Sequence, residues 1–312
     1  MFDYIDEDQT AELLAEAMED AKPTSTGIPQ LDSLLGGGLH KGLTVVAGNP
    51  SSGKTALAVQ LALYHANQQD GNVTYDMADM GGRRSALLRM ISCSAAVAGV
   101  EGCRLSQAGM WDEREQHEGL RAYDIVTKGR VRLAETRDVG DLLIDPHDTK
   151  ECELLLREIR VTESRPGMSN SEREDTIMDL YHELDELTQP AGFVVLDFAQ
   201  SMTFDGRPLA FDAEAASLAA RELRTWAHDN EAVVLLLSAY SKSAAEAHAR
   251  GAVPQMSDVL GSAELAYSAE HVLALDNPHD GSGRVTVRDL KHRHGDGRPC
   301  ALHLDADHGL FS

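Results

Sequence analysis

Cysteine and long apolar runs are both scarce in this chain of 312 residues. The four cysteines are scattered, and none belongs to a C-x-x-C pair or lies beside a helical His-x₃-His spacing: Cys93, Cys103, Cys152 and Cys300. We therefore expect neither disulfides nor a structural zinc. No apolar run reaches the ~20 residues needed to span a bilayer. The N-terminus MFDYIDEDQT is acidic, whereas a signal peptide would be basic. The sequence thus predicts a soluble, cytoplasmic protein.

Basic residues are also few. The chain has 28 lysines and arginines against 51 aspartates and glutamates, which gives a formal net charge of −23. Proteins that grip nucleic acid usually present a basic surface or groove, so this balance disfavours indiscriminate DNA binding. A ring that concentrates a few basic side chains around a central pore remains compatible with it. Adaptation to a salty cytoplasm is another explanation of the acidity.

The segment LTVVAGNPSSGKTALAVQLALYHA, residues 43–66, joins an apolar strand, a glycine-bounded loop and a helix. Within it the pattern G-x-x-x-x-G-K-[ST] predicts a phosphate-binding loop, or P-loop. Its backbone N–H groups wrap the phosphates, its lysine reaches the β- and γ-oxygens, and its hydroxyl holds Mg²⁺. The sequence therefore predicts ATP and Mg²⁺ as cofactors, bound by Gly48, Asn49, Pro50, Ser51, Ser52, Gly53, Lys54 and Thr55.

The rest of the chain predicts one α/β domain preceded by a short helix. Residues 1–22 show a narrow apolar stripe among many carboxylates, which is typical of a helix that packs on its own domain or docks on a neighbouring subunit. In residues 23–312, apolar runs such as FVVL and AVVLLL alternate with helical patterns, and three short strands lie near the end. This alternation predicts a mainly parallel sheet covered by helices on both faces.

Residues 100–190 are rich in charge and contain the helical patches ECELLLREIR and TIMDLYHELDEL. Between these patches the segment SRPGMSNSERED has the Pro, Gly and Ser content of an exposed loop. We assign no function to this segment.

Two carboxylates are predicted to serve the nucleotide. Asp197 follows the apolar run FVVL, and an aspartate at the tip of such a strand orders the Mg²⁺ shell in P-loop ATPases. Hydrolysis also needs a group that activates the attacking water. Asp79 after the second predicted strand is our candidate, with Asp76 as the alternative.

These segments resemble the RecA-like ATPase domain of DnaB-type replicative helicases, from Thr26 to the end of the chain. The lead-in TGIPQLDSLLGG, the loop NPSSGKTALAVQLA and the strand segments LDFAQSM and LLLSAY carry the resemblance, together with SDVLGSAELAYSAEHVLAL and KHRHGDG. The glycine run of the lead-in is nearer to the KaiC and RadA branches of the superfamily. The resemblance implies a ring oligomer, a hexamer in this family, that acts on single-stranded DNA, with a replication or regulatory protein as a further partner.

The resemblance also implies roles for three further residues. Gln200, three residues after Asp197, couples the nucleotide site to the DNA-binding loops. Lys291 and Arg293 match the K-x-R-x-G element and reach into the neighbouring subunit's ATP. On the plainer interpretation these two are an ordinary solvated pair on an edge strand.

The chain departs from the family pattern at three positions. Asp79 stands where the family usually has a glutamate, Ala239 replaces an expected glutamine, and Gly261 replaces a basic residue. The last two changes fall where DNA would be held or sensed. The family's N-terminal primase-interacting domain has no counterpart here, and residues 1–22 correspond to its linker helix.

Lys242 and Arg250 remain as DNA-contact candidates, in a predicted loop SKSAAEAHARGAVPQ after a strand tip. A mobile surface loop with incidental charge is the other interpretation. The histidines His292, His294 and His303 lack carboxylate or cysteine partners at ligand spacing, so exposed strand-end histidines are favoured over a metal site. A KaiC-like regulatory or scaffolding ATPase without motor activity is the alternative function, and a RadA-like recombinase is less favoured.

Overall fold

The structure is a computed structural model. It describes Met18 and residues 22–68, 71–78, 82–142, 150–163, 168–188, 191–248, 250–259, 263–291 and 297–312. The predicted helix over residues 1–22 falls almost entirely outside this part of the chain.

In the described residues, helices and strands largely alternate. The strands are β1 (Gly42–Gly48), β2 (Val73–Met77), β3 (Val131–Ala134), β4 (Phe193–Asp197), β5 (Thr203–Phe204), β6 (Arg207–Pro208), β7 (Val233–Ala239), β8 (His271–Asp276), β9 (Arg284–Asp289), β10 (Cys300–Asp305) and β11 (Leu310–Phe311). The helices are α1 (Pro29–Leu34), α2 (Lys54–Ala66), α3 (Gly82–Val97), α4 (Glu113–Thr127), α5 (Val139–Leu142), α6 (Lys150–Glu163), α7 (Asn170–Thr188), α8 (Ala213–Asp229), α9 (Lys242–His248) and α10 (Ala263–Ser268). None of these helices is both long and apolar enough to cross a membrane.

Nine of the strands form one sheet in the order β11-β10-β9-β8-β1-β7-β4-β2-β3. The six strands from β8 to β3 run parallel, and β9, β10 and β11 extend the sheet in antiparallel fashion. The predicted mainly parallel sheet is confirmed. Because parallel strands end at the same edge, the segments after β1, β2, β4 and β7 all emerge on one side of the molecule.

Apolar side chains cover both faces of the sheet. On one face, β1 and β7 residues such as Val46 and Leu235 pack with α1, α2 and α3. On the other face, Val45 and Leu236 pack with the alanine-rich side of α8 and with α10. The parallel core strands are therefore buried on both sides, which explains their continuous apolar runs.

The exposed loop predicted between the two helical patches is wrong over residues 170–175, because α7 already begins at Asn170. The side chain of Ser169 accepts a hydrogen bond from the backbone N–H of Glu172, and the Glu172 carboxylate accepts from the backbone N–H of Ser169. This reciprocal capping box starts the helix inside a segment whose composition favours a loop.

Candidate nucleotide-binding site

The loop between β1 and α2 requires glycine at both ends of its motif. Gly53 has a φ of 102°, and a Cβ atom there would lie 2.8 Å from Cζ of Phe311. A Cβ atom on Gly48 would lie 2.4 Å from Oγ of Ser52. The loop therefore closes tightly at both positions, and the first N–H groups of α2 point into it, where an anion is favoured.

Lys54 folds back over this loop. Its Nζ donates to the carbonyl oxygens of Gly48 and Asn49, each at 2.9 Å. Burial lowers the pKa of Lys54 to about 8, and the nearby carboxylate of Asp197 partly opposes this shift. The ammonium group thus lies at the mouth of the loop, within reach of any phosphate that enters.

Two buried polar atoms of the loop have no hydrogen-bond partner within the described structure, namely Oδ1 of Asn49 and Oγ of Ser52. Buried polar groups are nearly always hydrogen-bonded, so such orphans are explained by a ligand or by water. Together with the glycine cradle and the lysine, they fit a bound nucleotide.

Asp197 lies at the tip of β4 and is 5% exposed. Burial raises the pKa of its carboxyl, and hydrogen bonds from the side chains of Thr55 and Tyr75 oppose this rise. The positive charges of Arg89 and Lys54 act in the same direction as these hydrogen bonds. The hydroxyl predicted to bind Mg²⁺ and the carboxylate predicted to order its shell are therefore in direct contact, and this oxygen-rich pair suits Mg²⁺.

The loop opens into a cleft of about 310 Å³. Its walls come from the start of α2, from α3, and from the turn between β10 and β11, through residues that include Arg89, Leu105, Leu304, Ala306 and Gly309. Sequence reasoning missed Arg89. Arg83, Arg84 and Arg89 all lie on α3, and only their exposure in the fold separates Arg89, which is half-buried, from the other two, which are exposed.

The C-terminal strand closes the floor of this site. The side-chain amide of Gln60 on α2 donates to the carbonyl of Phe311 at 2.9 Å and accepts from its N–H at 2.6 Å. This paired contact holds the Phe311 ring against Gly53, so β11 packs directly beneath the P-loop.

Gln200 lies in a 3-10 turn after β4 and bonds to the end of β7. Its Nε2 donates to Oγ of Ser238 at 2.9 Å, and its Oε1 accepts from the N–H of Ala239 at 3.0 Å. Gln200 thus connects the tip of the strand that carries Asp197 with the strand that leads to the predicted DNA-contact segment.

That segment is not the loop predicted from sequence, because Lys242–His248 is the helix α9. Asp258 closes the segment on itself. Its Oδ2 lies 2.9 Å from Nε2 of His248 and accepts from the N–H of Gln255 at 2.7 Å, and its carbonyl accepts from the N–H of Ser241. Lys242 on α9 and Arg250 beyond it are both exposed.

Lys291 follows β9. Its ammonium group donates to backbone carbonyls at the end of α10, those of Ala266, Tyr267 and Ala269, and its backbone N–H donates to Oδ1 of Asp289 at 3.0 Å. In the isolated subunit Lys291 therefore caps a helix of its own chain. Its predicted contact with a neighbouring subunit stays a prediction.

Other predicted residues lie elsewhere. Asp76 is on the sheet face opposite Tyr75, because side chains alternate along a strand, and its Oδ2 accepts from the N–H of Thr136 at 3.1 Å. The structure does not bring it to the P-loop. Asp79, Arg293, His292 and His294 lie outside the described residues. His303 is exposed on β10, and no cluster suited to a metal ion occurs among the residues that the structure describes.

The fold and this site define the chain as a RecA-like P-loop protein. Residues 24–142 match the family model of the DnaB-like helicase C terminal domain. The chain is 18% identical to a solved structure of a single ATPase domain, with a TM-score of 0.67 and 99% of both chains covered. It is also 18% identical to a DnaB-like replicative helicase solved with its primase interactions, with a TM-score of 0.64 over 99% of this chain and 67% of that one. At such identities the structures show a shared fold.

Two curated relatives point the same way. The replicative DNA helicase DnaC of Bacillus subtilis is 23% identical over 83% of this chain and 49% of its own length. The replicative DNA helicase DnaB of Leifsonia xyli subsp. xyli is 25% identical over 92% of this chain and 54% of its own length. The chain thus spans about half the length of these relatives. Together these similarities identify a RecA-like domain of the DnaB type in this chain.

Proposed function

We propose that this chain is an ATP-hydrolysing, helicase- or translocase-like ATPase that acts on single-stranded DNA as a ring oligomer. The observation that carries the proposal is the hydrogen bond between Thr55 and Asp197, with the charge of Lys54 nearby, around a P-loop that begins α2. The similarity to the DnaB-like helicase C terminal domain supports the choice of DNA as the substrate acted upon.

Nucleotide binding follows from the loop itself. A phosphate group entering the loop displaces Lys54 from the carbonyls of Gly48 and Asn49 and accepts from its ammonium group instead. The orphan atoms of Asn49 and Ser52 lie in the same loop. Mg²⁺, when bound, neutralises developing phosphate charge, and Thr55 and Asp197 are the residues that would hold it.

Hydrolysis requires further groups that we assign by family resemblance. Asp79 activates the attacking water, and Lys291 and Arg293 supply positive charge to the ATP of the neighbouring subunit. A cation supplied from the next subunit makes hydrolysis depend on assembly, because charge on the γ-phosphate grows during transfer.

DNA contact is assigned to Lys242 and Arg250. The segment that carries them leaves the sheet at the same edge as the P-loop, and Gln200 links the ends of β4 and β7. A shift at Asp197 on nucleotide binding has a direct bonded route to this segment through Gln200. Two exposed cations per subunit suit backbone phosphate contact, which a ring repeats around its pore.

Steady-state ATP hydrolysis with and without single-stranded DNA tests the proposal. We expect DNA to stimulate turnover of the wild type, and Lys54→Ala to lower it by about a hundredfold or more. Lys41→Ala, which changes a lysine paired with Glu231 away from the loop, is the matched control and should retain activity. Wild-type turnover equal to that of Lys54→Ala would reject ATP hydrolysis by this site.

The assignment between subunits has a separate test. Mixtures of Arg293→Ala and Asp79→Asn subunits should recover part of the activity that each variant lacks, because one interface in the mixture then combines two intact halves. No recovery at any mixing ratio contradicts action across the interface.

A second candidate function is a KaiC-like regulatory or scaffolding ATPase that binds a protein partner and has no motor activity on DNA. The net charge of −23 favours it, because such a surface repels DNA phosphates. Oligonucleotide binding separates the two functions. Affinity that falls steeply as salt rises supports the DNA motor, whereas hydrolysis that is indifferent to DNA supports the regulatory ATPase.

A further inference from the structure

Tyr75 is a fully buried tyrosine whose hydroxyl reaches the nucleotide site from a neighbouring strand. It lies on β2, opposite Val195 of β4, while Met77 lies opposite Asp197. Its ring therefore extends along the sheet toward the edge where Asp197 stands. The hydroxyl ends 3.2 Å from Oδ2 of Asp197.

The carboxylate of Asp197 receives two hydroxyl groups. Tyr75 donates to Oδ2, and the side chain of Thr55 is the second hydrogen-bonding partner. An ionised carboxylate only accepts hydrogen bonds, so both hydroxyls are the donors. Once the Thr55 proton is directed at Asp197, the lone pairs of its oxygen are left free to face the phosphate loop, as a metal-binding hydroxyl requires.

We propose that Tyr75 is a positioning residue for the magnesium–nucleotide complex: it holds the Asp197 carboxylate so that Asp197 in turn orients Thr55. This inference rests on the proposed nucleotide-binding function of the P-loop. Tyr75 itself touches neither nucleotide nor metal in this role.

The chemistry of the position supports the role. The ring of Tyr75 packs in the apolar core beneath α2 and α3, where phenylalanine would fill the same space. The hydroxyl adds no apolar contact, and a buried hydroxyl destabilises a core unless it finds a partner. Its hydrogen bond to Asp197 supplies that partner. The hydroxyl is a neutral donor, so it fixes one carboxylate oxygen without adding to the positive charge of Lys54 and Arg89.

The test compares Tyr75→Phe with the wild type in the titration of a fluorescent ADP analogue, with and without Mg²⁺. We expect metal-free ADP affinity to stay within about twofold, because the lysine and the loop N–H groups are intact. The Mg²⁺ concentration for half-maximal tightening should rise about tenfold, as is typical when a residue that orients a metal ligand is removed. Tyr123→Phe, a half-buried tyrosine on α4, is the matched control and should change neither quantity.

A double-mutant comparison guards against a general packing defect. In an Asp197→Asn background, Tyr75→Phe should have no further effect on Mg²⁺ dependence, because the contact that it removes is already altered. An unchanged Mg²⁺ requirement in Tyr75→Phe, or an equal loss of metal-free ADP binding, overturns the inference while nucleotide binding by the wild type stands. Failure of the wild type to bind the ADP analogue overturns the proposed function, and this inference falls with it.

Discussion

His271 and Asp289 form a fully enclosed pair, with Nδ1 of the imidazole 3.0 Å from Oδ2 of the carboxylate and neither residue exposed to solvent. His40 extends the pair, because its Nδ1 lies 3.0 Å from Nε2 of His271. An ionised Asp289 accepts from Nδ1 of His271, which leaves Nε2 of His271 to accept from His40. The other oxygen of Asp289 holds the N–H of Lys291, so this chain of bonds fixes the start of the segment assigned to contact between subunits.

Asp289→Asn should therefore destabilise the fold by roughly 2–3 kcal/mol, because an amide turns an N–H group toward one of the two donors that the carboxylate satisfies. Urea unfolding measures this as a lower midpoint with an unchanged slope. Asp175→Asn, an exposed aspartate on α7, is the control and should stay within about 0.5 kcal/mol of the wild type. Equal midpoints for Asp289→Asn and the wild type would show that the charge contributes nothing.

Lys291→Ala should loosen the end of α10, because three backbone carbonyls lose their donor. Hydrogen exchange of the isolated subunit measures the effect, and we expect several-fold faster exchange in residues 265–270 before any ring assembles. Lys242→Ala on α9 serves as the control lysine. If exchange is unchanged while ATP turnover falls, Lys291 acts on the neighbouring nucleotide and has no measurable role within its own chain.

Nucleotide affinity should fall above about pH 8. The free protein holds Lys54 with a pKa lowered to about 8, so its ammonium group deprotonates above that pH. Binding of a phosphate needs the charged form, and affinity for the ADP analogue should drop about tenfold for each further pH unit. Lys54→Arg stays charged throughout this range, so whatever affinity it retains should not follow the same curve. A wild-type affinity that stays flat to about pH 9.5 contradicts the lowered pKa.

Asp76→Asn should stabilise the protein at neutral pH. Burial raises the pKa of Asp76 to about 6 from a usual 3.8, and its Oδ1 has no partner in the described structure. A carboxyl with a raised pKa favours folding below about pH 4 and loses that contribution as pH rises through about 6. The amide removes this loss, with a gain of about 1–2 kcal/mol near pH 7 and little near pH 4. Thermal unfolding at both pH values measures it, with exposed Asp141→Asn as the control; a gain that is equal at the two pH values contradicts the titration.

The sequence was sufficient to predict the parts of the fold that follow from local pattern. The P-loop motif determines a strand, a turn and a helix within a few residues, and the apolar run before Asp197 indicates a strand buried on both faces. These predictions succeeded because each depends on contacts close in sequence or on burial of whole strands.

The contacts that complete the site depend on neighbours distant in sequence. Tyr75 is one more core residue of a strand until the register of β2 against β4 puts its hydroxyl near Asp197. Arg89 is one of three arginines on α3, and only the packing of that helix selects it. The sequence of α9 predicts a loop because alanine, serine and histidine give a weak helical pattern over seven residues.

The floor beneath the P-loop also sets an order of events during synthesis. Gln60 and Phe311 are 251 positions apart, yet their paired amide contact holds β11 under Gly53. A ribosome has translated the loop long before it reaches the strand that supports it. The nascent chain therefore carries an incomplete pocket for most of its translation, and nucleotide can assist folding only after the last strand has emerged.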